Sequence, residues 1–180
     1  IAITDHGSIK GALKAQKMVP ERVIVSEEIA TPEGELLGYF MNEEIPQGLP
    51  ALEVARRLRG QGAFISIAHP FDPRRSWWTP KTLDALLPFL DGVEVFNARC
   101  LRQEYNQAAY RFAVEHGKAL MSGSDAHTLR ELGRASMTMP LFEDAEGLRA
   151  AAHEGVISGE LSGLYDRMVS AFAKVAKKFN

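Results

Sequence analysis

The chain has 180 residues, of which 46% are hydrophobic and 24% charged, enough to bury one good core and most simply arranged as one domain. A net charge of -2 and an isoelectric point near 6.2 exclude a broadly basic surface of the kind that coats extended nucleic acid, while leaving room for a local group of arginines that holds phosphates. The single cysteine, Cys100, excludes an internal disulfide, and with no signal-peptide pattern and no bilayer-length apolar run the expectation is a soluble, cytoplasmic protein.

The first residues, Ile1-Ala2-Ile3-Thr4, read as a buried strand, an unusual place for a chain to begin, and a fragment lacking its natural start is expected. Asp5-His6-Gly7-Ser8 is a loop, with Ser8 as N-cap of a helix that places Ile9, Ala12, Leu13 and Gln16 at helical spacing up to Val19-Pro20. Val23-Ile24-Val25 is the next strand. Ile29 to Thr31, the turn Pro32-Glu33-Gly34, and Leu36 to Met41 then read as a β-hairpin excursion decorating the main fold.

Pro50 opens a helix with Leu52, Val54, Ala55 and Leu58 as its apolar positions, stopped by Gly60 and Gly62. The nearly continuous apolar run Ala63 to Ala68 is a strand ending at His69-Pro70. Thr79-Pro80 caps a helix through Leu83 to about Leu87, and Val93 to Phe96 form another strand. Leu101 to Glu115 is helical and stops at Gly117, before the strand Ala119 to Met121. A strand around Ala135 to Met139, a helix from Asp144 to His153 and a short strand at Val156-Ile157 follow, and Leu161 to Phe179 predicts an amphipathic, Lys-ended helix. Strand and helix alternate throughout, which implies a largely parallel α/β sheet.

Potential metal ligands stand in or just after five of these strands: Asp5-His6 in I-A-I-T-D-H, Glu28 in V-I-V-S-E-E, His69 in F-I-S-I-A-H-P, Glu94 in G-V-E-V-F-N, and Asp125 with His127 in L-M-S-G-S-D-A-H. In a parallel barrel the C-terminal strand ends converge on one face, so residues far apart in sequence can meet around a metal. Ligands at nearly all strand ends favour a closed or nearly closed barrel over an open sheet with one crevice. Imidazole and carboxylate donors together suit Zn, Mn or Fe, and such centres generate hydroxide at neutral pH and clamp phosphoryl oxygens.

The ordered set I-T-D-H, E-E-I, A-H-P, G-V-E-V-F-N and G-S-D-A-H, spanning roughly residues 1 to 140, resembles the later motifs of the polymerase and histidinol phosphatase (PHP) family of metal-dependent phosphoesterases. The resemblance implies a distorted, TIM-like barrel of seven β/α units with two or three divalent metals, here without the family's opening H-x-H motif. It implies that His6 and His127 share one metal, that Asp125 serves another, that Glu28, which precedes Ile29 as in the family's G-x-E-I, bridges two, and that His69 is a further ligand. Asp5 ligates or orients His6, and Asn97 stands where some members carry a histidine.

The expected reaction is hydrolysis of a phosphate ester of a small metabolite or nucleotide by metal-bound hydroxide, with His6, His69, Asp125 and His127 at its centre. Arg74, Arg75, Arg99 and Arg102 follow the ligand positions, where guanidinium groups suit bidentate phosphate binding, ordinary surface charge being the alternative; Arg130 and Arg134 follow His127 in the same way. Glu94 faces either the metal or an arginine. His116 and His153 read as helix C-terminal residues, Cys100 as a passive thiol, and Trp77-Trp78 as a lid or packing surface, with base stacking as the alternative. Two other functions remain open: a non-catalytic PHP-like module that binds metal or a partner, and amide or lactone hydrolysis of the amidohydrolase type, which has less need of arginines.

Overall fold

In the computed structural model, which describes residues 1–163, the alternating apolar runs become one six-stranded mixed sheet that curls into a half-barrel. β1 (Ala2–Ile3) lies parallel to β2 (Ile24–Ala30). β3 (Glu35–Tyr39) then runs antiparallel to both β2 and β4 (Phe64–Ile67), while β5 (Gly92–Asn97) and β6 (Ala119–Gly123) continue parallel to β4. The sheet order is simply β1 to β6.

β3 corrects the sequence reading. The segment Ile29 to Met41 does not decorate the sheet; its second strand fills the space between β2 and β4. Leu36 and Leu37 are both buried, as a strand with neighbours on both sides and cover on both faces requires, and Gly38 lets Leu58 and Met41 approach the backbone closely.

Period-two alternation sorts the sheet into two faces. Val25, Ile29, Leu36, Ile65, Ile67, Val93 and Val95 pack outward against α1 (Lys10–Met18), α2 (Ala51–Gly60), α3 (Pro80–Leu86) and α4 (Gln103–Glu115). Leu37, Tyr39, Phe64, Ala119 and Met121 form the inner face, with Leu148 and Ala152 of α5 (Ala145–Ala152) packed in the same cluster. The helices start where capping chemistry dictates: Thr79 Oγ1 accepts from Thr82 N and Asp144 Oδ1 from Gly147 N.

β7 (Ala135–Thr138) and β8 (Val156–Gly159) also depart from the expected barrel. They pair antiparallel with each other as a separate ribbon, and their half-exposed residues lack the two apolar faces that an inserted parallel strand needs. The helix expected from Leu161 falls, beyond Gly163, outside the described residues. Among those residues no helix is long and apolar enough to cross a membrane.

At the N-terminal end of the strands, Asp91 ties three elements together. Its Oδ1 accepts from Arg59 Nη2 at 3.1 Å and Arg149 Nε at 3.2 Å, and its Oδ2 from Ile65 N at 2.8 Å. Arg149 also donates to the carbonyls of Gly62 and Ala63. Replacing Asp91 by Ala leaves two arginines and a strand amide without their shared acceptor, so Asp91→Ala is expected to lower the unfolding free energy by about 2–4 kcal/mol in denaturant titration. An unchanged midpoint would show that the clamp carries no stability.

Candidate metal centre

The β1–β2 register continues past β1 as an isolated bridge between His6 and Glu28, with Gly7 N donating to Glu28 O and Glu28 N to Asp5 O. Parallel pairing therefore delivers His6 beside Glu28. Because β3 runs antiparallel, its first residue, Glu35, lies opposite Ala30 at the same end of the sheet and on the same face as Glu28. His69, immediately after β4, completes the group.

His6 Nδ1 lies 3.4 Å from Glu28 Oε2 and 3.6 Å from Glu35 Oε1. His69 Nε2 lies 3.3 Å from Glu28 Oε1 and 3.2 Å from Glu35 Oε2. Each of His6, Glu28 and Glu35 offers a donor atom within 4.8 Å of the others, a spacing that suits one cation. Burial by itself would depress His69, yet its contacts with Glu28 and Glu35 outweigh that and push it up to about 10. Burial likewise works to raise Glu35, but His69 holds it below the usual carboxylate range. The donor set is thus two carboxylates and two imidazoles with excess negative charge, the chemistry of a Zn, Mn or Fe site.

A second network adjoins the first. Arg75 donates from Nε to Asp72 Oδ2 at 3.2 Å, from Nη1 to Asp125 Oδ2 at 2.5 Å and from Nη2 to Asn97 Oδ1 at 3.3 Å. Asn97 Nδ2 donates to Asp125 Oδ2 and to Glu94 Oε2. Burial opposes the ionisation of Asp125, but Arg75 outweighs it and holds the carboxyl below its ordinary range. Glu94 is pushed up to about 7, chiefly by burial, with the Asp125 charge adding to the shift.

Glu94 points inward, toward a main-chain and a side-chain amide. Its Oε2 accepts the main-chain N–H of His69 at 2.8 Å, and its other oxygen lies against Gly123, where any side chain would collide with it. The contact holds His69 in a left-handed backbone conformation, φ 26°; Asp125 shares that region at φ 49°. Such conformations cost on the order of 1–3 kcal/mol each and persist only where neighbours enforce them.

The other expected residues fall as follows. Asp5 points away from His6, as adjacent residues must, with its carboxylate against Gly11 of α1. Glu27 likewise faces away from Glu28 and accepts from Ile45 N and Gln47 Nε2. The His127 ring stands 6.4 Å from that of His6, with Nδ1 2.9 Å from Asp125 O. Arg74, Arg75 and Arg99 line a cleft of about 520 Å³ together with His6, Glu28, Glu35, Asp125 and His127; Arg102 is not in its wall. Trp77 is exposed at the cleft, whereas the Trp78 ring packs on Gly34. Burial pushes the Cys100 thiol up to about 12, well away from reactivity at neutral pH.

Three residues escaped the sequence reading. Glu35 is hidden in sequence because its strand reads as a decoration; its place directly after the Pro32-Glu33-Gly34 turn, on the face of Glu28, is the signal. Asp72, between His69 and the arginines in H-P-F-D-P-R-R, is buried and also accepts from Arg74 N at 3.1 Å. Glu131 is fully buried, accepts from His127 N and Thr128 Oγ1, and lies 3.5 Å from Arg99 Nη1.

Residues 103–157 match the family model described as PHP-associated. Two uncharacterised proteins of Methanocaldococcus jannaschii are 41% identical over 138 residues, covering 74% of this chain and 55% of the relative, and 40% identical over 101 residues, covering 54% and 57%. The chain spans about half the length of these curated relatives. Similar folds occur in PsfC of Pseudomonas syringae (TM-score 0.68, 16% identity, 97% of this chain and 82% of that one) and in a two-domain protein of Bacteroides vulgatus containing a predicted PHP-like metal-dependent phosphoesterase (TM-score 0.65, 18% identity, 97% and 60%). A Bifidobacterium adolescentis protein provisionally described as a metal-dependent phosphoesterase has a TM-score of 0.55 at 17% identity over 69% of this chain and 76% of that one. With its motifs in family order, the PHP-associated match over residues 103–157 and the shared fold, this chain is similar to proteins of the PHP family.

Proposed function

We propose that the protein is a metal-dependent phosphoesterase acting on a small phosphorylated metabolite or nucleotide, with His6, Glu28, Glu35 and His69 holding a divalent Zn, Mn or Fe ion. The observation that carries this reading is the convergence of Glu28, Glu35 and His6 in a cleft whose wall includes three arginines, with the buried His69 imidazole against both carboxylates. When bound, the cation supplies a Lewis acid that acidifies water near neutral pH and stabilises charge on phosphoryl oxygens.

The chain's own residues bind and orient. Arg74 and Arg99, in the cleft wall, offer planar donors for the phosphate, a preference that amide or lactone hydrolysis would not explain. Glu94 fixes the backbone of His69, and through it the direction of Nε2. His127, with Nδ1 facing the Asp125 carbonyl, keeps Nε2 as its basic nitrogen when neutral, suited to accept or return a proton at the leaving oxygen.

Glu35→Ala is expected to weaken Mn²⁺ or Zn²⁺ binding by at least about 10–100-fold in competition with a chromogenic chelator, and His69→Ala by a similar factor. Affinity equal to wild type in both variants would remove the nest from the metal site.

For turnover, a panel of phosphomonoesters assayed with Mn²⁺ or Zn²⁺ is expected to yield a substrate whose KM rises about 10-fold or more in Arg74→Ala while kcat is little changed, the pattern of lost ground-state phosphate binding. Stoichiometric metal with no hydrolysis of any phosphate ester would instead favour the non-catalytic module.

A further inference from the structure

Asp125 stands where the family resemblance expects a ligand of a further metal ion, and Glu94 is a second strand-end acid close to it. Both are tied to Asn97, and Asp125 is also tied to Arg75. Five carboxylates, Glu28, Glu35, Asp72, Glu94 and Asp125, crowd this end of the sheet. His6 and His69 face only the first two. The other three surround the Arg75 and Asn97 side chains.

Arg75 is built into that position. All three of its guanidinium nitrogens are engaged, on Asp72, Asp125 and Asn97, and only 25% of the side chain is exposed. Its loop is fixed in turn: Asp72 O accepts from Arg75 N and Ser76 N, and Ser76 Oγ donates to His69 O. Swinging Arg75 out to a substrate phosphate would strip the buried Asp72 and the half-buried Asp125 carboxylates of their cation. A guanidinium also keeps its charge at any physiological pH and presents several donors in one plane.

We propose that Arg75 is a resident cation standing in place of a second metal ion, so that the Asp72–Asp125–Asn97 side of the centre takes no divalent ion while Arg75 is there. This rests on the metal reading above, and it makes Arg75 a determinant of how many ions the protein holds. Arg75 then orders the site and leaves direct phosphate contact to Arg74 and Arg99.

The test counts Mn²⁺ per chain by equilibrium dialysis and elemental analysis, with circular dichroism as a check on folding. Wild type is expected to hold one ion, and Asp125→Asn to leave that number unchanged. Arg75→Met, which removes the charge but keeps the bulk, is expected to raise the count to two, and Arg75→Met/Asp125→Asn to return it to one. Arg75→Lys, which keeps a positive charge, is expected to stay at one. A lower count in Asp125→Asn than in wild type would overturn the proposal, as would a folded Arg75→Met that still holds one ion. Should Arg75→Met fail to fold, the Asp125→Asn and Arg75→Lys counts decide alone. No ion in wild type would withdraw the metal reading and this one together, whereas loss of an ion only with Asp125→Asn would withdraw this one and leave the first intact.

Discussion

Two carboxylates on one face of the β2–β3 ladder set the terms for the rest of the site. Donor oxygens of Glu28 and Glu35 lie within 4.8 Å of each other, a separation at which two unit charges repel by roughly 3–4 kcal/mol at an effective dielectric of about 20. Such a pair persists only with positive charge nearby. His69 provides some of it, which is why its imidazole is pushed up to about 10 against the opposing effect of burial. A divalent cation would provide more and would release that imidazole to ligate in its neutral form.

The surrounding polar groups act as a frame for this pair. Glu94 grips the His69 amide, Asn97 joins Glu94 to Asp125, and Arg75 joins Asp125 to Asp72, so β4, β5 and the segment after β6 are linked by one continuous chain of hydrogen bonds. Asn97 is itself fixed from α4, whose Asn106 accepts from Asn97 N and donates to Asn97 O. The left-handed backbones of His69 and Asp125 sit inside this frame, whose contacts hold such conformations in place. Tyr39 lies beneath it, its phenol kept protonated by burial and by the nearby Glu94 and Glu28.

The two ends of the sheet divide their tasks. At the N-terminal end Asp91, Arg59 and Arg149 form a compact clamp, and Lys118 Nζ caps the carbonyls of Leu87 and Leu90. At the C-terminal end carboxylates, arginines and histidines line an open cleft together.

Local sequence determined most of the elements and several of the site positions. Thr79-Pro80 and Asp144 start helices because their caps are satisfied within four residues, and His6, Glu28 and His69 could be placed at strand ends because a run of apolar residues reports its own end. The place of β3 was decided only by tertiary structure: a hairpin strand and an inserted strand have the same local pattern, and what separates them is whether β4 arrives on the other side. That pairing set Glu35 beside Glu28, His6 and His69. The direction of Asp125 was equally out of reach, since its partner in the structure, Arg75, lies 50 residues earlier in the chain. Sequence fixes which groups arrive at the rim, because that depends on period and spacing; which of them meet depends on strand order and long-range charge pairing, which no local pattern encodes.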